Sequence, residues 1–146
     1  MMKKLSLITL LLTALPASII ARDSNIGRLT VSENQRFLQY EDGRPFFWLG
    51  ETAWLMPERL NREEVNYYLQ TCHEADYNMV QVQVLNDVPS FNAYGTPSHD
   101  RQGRLLTDAP YSYWDHMDYI IDTAARHDIY IGMVCIWGGL VKDGKL

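Results

Sequence analysis

The residues of this chain best suited to chemistry stand just behind its apolar runs. FFWLG (Phe46–Gly50) leads into Glu51, Thr52 and Trp54, and MVQVQVL (Met79–Leu85) leads into Asn86 and Asp87. IYIGMVCI (Ile129–Ile136) leads into Trp137, Gly138 and Gly139. Each time, hydrocarbon gives way to carboxylate, amide or indole. The segment that follows Leu85 adds Phe91, Asn92, Tyr94, Tyr111 and Tyr113, flat apolar faces set among amides. A sugar ring has the same split character, with C–H faces that stack on aromatics and hydroxyls that bond to amides and carboxylates. The expected site is a sugar-binding rim of Glu51, Trp54, Asn86, Asp87, Asn92, Tyr94 and Trp137. Two of these have plainer uses. Glu51 can hold backbone at a strand end, and Asp87 can cap a turn.

The elements that must position the rim follow from periodicity. RLTVS and RFLQY read as short strands separated by Glu33-Asn34-Gln35, and Asp42-Gly43 marks a second turn. PFFWLG is continuously apolar, as expected of a strand covered on both faces with Trp48 in the core. Asn61 with Glu64 forms a capping-box pattern. Val65, Tyr68, Leu69, Cys72 and Ala75 then recur at helical spacing. Met79–Leu85 reads as a strand. Asn86 to about Ser112 is a long polar loop with Pro89, Pro97 and Pro110. Such loops far exceed the usual two to six residues of a βα connection and are often functional. A second helix spans roughly Tyr113 to His127 and buries Met117, Ile120, Ile121 and Ala124; the strand Ile129–Trp137 follows.

Alternating strands and helices with apolar strands predict an α/β fold with parallel pairing and right-handed crossovers. The pattern fits an open doubly wound sheet or part of a (β/α)8 barrel. In both, ligands bind at the C-terminal ends of the strands, where the candidate residues fall. Neither GxGxxG nor GxxxxGK[ST] follows a strand, which speaks against nucleotide binding.

The chain has 146 residues, 47% of them hydrophobic, and a formal net charge of −5. That balance points to neither nucleic acid nor a membrane surface. Its start has another character. Lys3 and Lys4 precede an apolar run from Leu5 to Leu15 and small residues up to Ala21, the layout of a secretory signal. The run is shorter than the roughly 20 apolar residues a spanning helix needs. Removing 21 of 146 residues leaves 125, enough for one small core. The expected organisation is a signal peptide over 1–21, N-terminal strands over 22–45 and βα units over 46–146. The protein is thus expected to be secreted or periplasmic and free of the membrane after cleavage. Cys72 and Cys135 are expected as buried free thiols. The four His show no metal-ligand spacing, and no cofactor is expected.

FFWLGETAW, LNREEVNYYL, NAYG and YWDHMDYIIDTAARHDIYIGMVCIWGG resemble, in order and spacing, the apiosidase-like glycoside hydrolases. The likeness runs from about Leu29 to Gly139. It implies a secreted bacterial (β/α)8-barrel enzyme that removes apiose from pectic rhamnogalacturonan II. Two positions depart from the family pattern. Glu51 stands where the family has Asp in WLGDTAW, and His127-Asp128 stands where a Gly usually ends the helix. Asp tolerates the left-handed conformation, so the second change costs little.

A whole barrel takes about 250 residues, and glycoside hydrolysis typically takes two carboxyl groups. The resemblance implies that those carboxylates lie on later strands, beyond Leu146, and it lends no catalytic role to Glu51 or Asp87. The expectation is the N-terminal portion of a glycoside hydrolase, with about three barrel strands, that hydrolyses nothing alone. Its ligand would be an oligosaccharide or polysaccharide. A non-catalytic sugar-binding fragment and a small structural α/β domain are the rival readings.

Overall fold

A computed structural model describes residues 26–142; the expected signal segment lies outside them. The first elements are β1 (Leu29–Val31) and β2 (Leu38–Tyr40), an antiparallel pair with Leu29 opposite Tyr40. At the turn between them the Ser32 hydroxyl accepts from the backbone N–H of Arg36 and Phe37. Gly43, at φ 86°, reverses the chain a second time, a conformation that glycine adopts without a Cβ clash. The expected N-terminal hairpin is present.

Five elements then alternate along the chain. They are β3 (Gly50–Thr52), α2 (Arg62–Glu74), β4 (Met79–Leu85), α3 (Tyr113–Arg126) and β5 (Tyr130–Ile136). Two short helices, α1 (Met56–Arg59) and α4 (Gly138–Lys142), follow β3 and β5 and lie outside the expected elements. The three strands form one parallel sheet in the order β3-β4-β5. Val80 and Val82 pack with Val65, Leu69 and Cys72 of α2 and with Met117, Ile120 and Ala124 of α3. Both helices therefore cover one face of the sheet. A doubly wound sheet would reverse its strand order and carry helices on both faces. Here the strands are sequential and singly wound, and the opposite face has no helix among the described residues.

Local signals fix the helices. Asn61 Oδ1 accepts from the N–H of Glu63 and Glu64 while Glu64 Oε2 accepts from Asn61 N–H, the expected capping box. Ser112 caps α3 by accepting from Asp115 N–H. Beyond α3, Asp128 takes φ 56°, as expected where the family has Gly.

The first barrel-type strand departs from expectation. PFFWLG is not a strand buried on both faces. The ladder begins only at Gly50, while Phe47, Trp48 and Leu49 are exposed. Asn78 takes the place of a strand partner there. Its Oδ1 accepts from Leu49 N–H, its Nδ2 donates to Phe47 O, and its backbone N–H donates to Leu49 O. Only Phe46 is buried, edge-on to Tyr40 and Tyr130 with centroids at 5.6 and 5.3 Å. Cys135 also departs: α3 packs on Ile131 but leaves Met133 and Cys135 exposed further along β5. Cys72 is buried as expected, and both thiols are free.

Candidate functional site at the strand ends

Parallel register decides which side chain faces which layer, because register partners point to the same side and neighbours along a strand alternate. Glu51 is in register with Val80, and Thr52 with Gln81. Glu51 therefore lies on the helix-covered face. Its negative charge helps raise the pKa of Tyr68 and Cys72 on α2, although burial raises both more. Its Oε1 accepts from Thr52 N–H at 2.9 Å. Glu51 thus bonds strand-end backbone, one of the two uses open to it.

The open face carries Thr52, Gln81 and Gln83, the last 3% exposed and donating from Nε2 to Leu85 O. None of these was singled out from the sequence. Their signal is the alternation in MVQVQVL, where Val80, Val82 and Val84 face the helices and two amides face away. At the C-terminal edge of the same sheet the two expected tryptophans meet. Trp54 and Trp137 stand edge-to-face with centroids 5.6 Å apart. They come from the ends of β3 and β5, so the pair spans β4. The parallel pattern runs on into the loop to hold Trp54, as Ala53 N–H donates to Gln81 O and Gln83 N–H to Trp54 O.

The residues after β4 divide. Asn86 and Asp87 are exposed, and their backbone N–H groups both donate to Ser90 Oγ. Asp87 Oδ1 accepts from Val88 N–H, so the carboxylate caps its own turn. Asn92 is not a rim contact. It is 3% exposed and every polar valence is used inside the loop. Its Oδ1 accepts from Tyr94 and Thr96 N–H, and its Nδ2 donates to Tyr111 and Ser112 O. Tyr113 is also displaced from the rim. It is fully buried under the loop and its hydroxyl donates to Val84 O, while burial raises its pKa to about 12.

Tyr94 is exposed but belongs to a second cluster at the start of α2. Its hydroxyl accepts from Arg62 N–H, and its ring leans on Tyr111 and His116 at 5.1 and 5.4 Å. The Arg62 guanidinium sits over Tyr111 at 4.4 Å and Tyr119 at 4.7 Å and bonds Asp115 at 2.6 Å. Such cation–aromatic packing with an ion pair fixes the long loop to both helices. Phe91 and Tyr111 remain exposed beside it.

The rim that the structure offers is thus Trp54, Trp137 and Asn86, with Thr52 and Gln81 on the open face behind, where Gln83 is buried. It can stack a sugar face and bond its hydroxyls. A cleft of about 480 Å³ beside Tyr40, Glu41, Asp42, Arg44, Asp128 and Tyr130 lies at the opposite end of the sheet, where β5 begins. The C-terminal strand ends, where parallel α/β barrels bind ligands, are the Trp54–Trp137 edge. Among the described residues no group of three or more His, Cys, Asp or Glu has metal-binding geometry, and no helix is long and apolar enough to cross a membrane.

Solved structures carry the same architecture. One glycoside hydrolase is 55% identical, with a TM-score of 0.76, over 82% of this chain and 28% of its own. A family 5 glycoside hydrolase from Bacteroides vulgatus is 60% identical, with a TM-score of 0.75, over 81% of this chain and 26% of its own. A further Bacteroides vulgatus structure, at 20% identity and a TM-score of 0.50, shares the fold alone. The chain spans about a quarter of the length of the first two. No curated protein matches it. The description "Apiosidase-like, catalytic domain" matches residues 32–145, from the N-terminal hairpin through the Trp-bearing strand ends. With that span and those neighbours, the chain belongs to the apiosidase-like family of glycoside hydrolases.

Proposed function

We propose that this chain is the N-terminal portion of a secreted (β/α)8-barrel glycoside hydrolase acting on pectic plant cell-wall polysaccharide. The observation that carries the reading is the Trp54–Trp137 pair at the C-terminal edge of the sheet. Singly wound sequential strands support barrel closure, which would turn the open face with Thr52, Gln81 and Gln83 into the barrel interior. Stacking indoles and interior amides suit a polyhydroxylated ligand.

In this role the chain supplies the wall of the substrate site, and the two carboxyl groups that glycoside hydrolysis takes come from further βα units. The positions of Glu51 and Asp87 favour that division, since each holds local backbone. Family membership supports the pectic substrate, and the Lys3-Lys4, apolar, small-residue order supports export.

Calorimetric titration of the full chain with rhamnogalacturonan II oligosaccharides tests the reading. Binding is expected, weakened about tenfold by Trp54→Ala or Trp137→Ala, roughly the loss of one stacking contact of 1–1.5 kcal/mol. No sugar release is expected. Absence of heat, or apiose release at enzymatic turnover, would overturn it.

A further inference from the structure

The four His are scattered in sequence, yet the fold brings two of them together far from the strand-end site. His73 is in the last turn of α2, and His127 is the C-cap of α3. Their ring centroids are 6.4 Å apart, with the planes at 45°. Two imidazoles sharing a metal at about 2.0–2.1 Å have centroids about 5–6 Å apart. His73 is exposed and can close the remaining distance by a small side-chain rotation.

The tautomer of His127 favours ligation. Its Nε2 lies 3.1 Å from Asn66 Oδ1, an oxygen that can only accept. The tautomer with its proton on Nε2 donates to that oxygen and leaves the Nδ1 lone pair free. A metal-binding His typically has its second ring nitrogen tied to a carbonyl or carboxylate in this way. The surroundings carry charge of both signs. Both rings sit at helix C-termini, the negative ends of the helix dipoles. Asp128 and Glu74 add negative charge near His127, against the larger opposing influence of Arg126. The Arg126 guanidinium turns towards Thr123 Oγ1, at 2.6 Å.

We propose that His73 and His127 form a two-imidazole site for a borderline transition-metal ion such as Ni²⁺ or Zn²⁺, clamping the C-terminal ends of α2 and α3. Imidazole nitrogen selects such ions over Mg²⁺ or Ca²⁺. Water completes the coordination. A metal held by two helices binds the folded state alone, so it also raises stability by mass action.

The test is titration of the untagged full chain with Ni²⁺ alone at pH 7.5, read by calorimetry and by the thermal midpoint. Cys135→Ser is the background, since an exposed thiol would compete. One equivalent is expected to bind and raise the midpoint. His73→Ala and His127→Ala should each weaken binding at least tenfold, while His99→Ala leaves it unchanged. His73→Ala changes an exposed side chain, so its fold is kept even if His127→Ala unfolds. No binding, or binding that survives His73→Ala, would overturn the proposal. Mg²⁺ matching Ni²⁺ would do the same, by reducing the site to general negative charge.

Discussion

The indole of Trp48 lies against Gly50, with Nε1 at 2.6 Å and Cδ1 at 3.1 Å from where a Cβ on that glycine would stand. It reaches on across the open face of the sheet, its Cη2 3.7 Å from the same position on Gly132. The two glycines leave a smooth track on which one ring crosses from β3 to β5. Trp48 is thus part of the open face, not of the helix-covered core, and its exposure of 47% reflects that side.

Gly50→Ala should therefore dislodge the ring. The new methyl cannot stand 2.6 Å from Nε1, and Met79 O at 3.4 Å blocks retreat on the other side. Overpacking of this kind costs about 1–3 kcal/mol, here towards the lower end because the half-exposed indole can swing outward. Tryptophan emission should shift to the red. The shift should vanish in a Trp48→Ala background, and a shift that persists there would mean the methyl acts elsewhere.

Asn92 is expected to matter for stability. Its amide closes four hydrogen bonds that tie the NAYG turn to the residues leading into α3. Asn92→Ala strands two N–H and two C=O groups in a buried place, at a net cost of about 2–3 kcal/mol. Asn92→Asp keeps the two accepted bonds but sets a carboxylate oxygen against Tyr111 O and Ser112 O in a buried place, so it should cost at least as much as the alanine. Urea midpoints rank the three proteins. Equal midpoints for wild type and Asn92→Ala would show the loop to be self-supporting.

These positions mark where the sequence could be read and where it could not. The Asn61 cap and the β4 limits are local, set by neighbours within four residues, and they were legible. The face of Glu51 was not. It depends on where β3 starts relative to β4, and a slip of one residue reverses every side chain. Asn78 decides that start from 29 residues away by bonding Leu49. The site divided in the same way. Trp54 and Trp137 were visible as strand-end aromatics. Asn92 and Tyr113 looked like rim residues because only the folded loop shows their polar atoms consumed.

His116 gives the protein a pH dependence. It is fully buried, Nε2 contacts Leu60 O at 3.0 Å, and Nδ1 has no partner among the described residues. Burial lowers its pKa below the ordinary 6.5; the Leu60 carbonyl works against this, Arg62 adds to the lowering, and Asp115 opposes it least. The sign follows from proton counting. Between the depressed folded value and 6.5, the unfolded chain holds more protons, so stability rises with pH. Stability should be fully present above 6.5 and decline as pH falls below it. His116→Gln keeps a neutral donor for Leu60 O and cannot titrate. Urea midpoints between pH 7.5 and 5 should fall for wild type and fall less for the variant. Parallel curves would assign the acid sensitivity to other groups. The location makes the consequence specific, because His116 packs between Tyr94 and Tyr119 in the cluster that holds the long loop to both helices. Protonating it should loosen that loop before the sheet, seen as earlier amide exchange at Tyr94 and Thr96 than at Val80 and Val82.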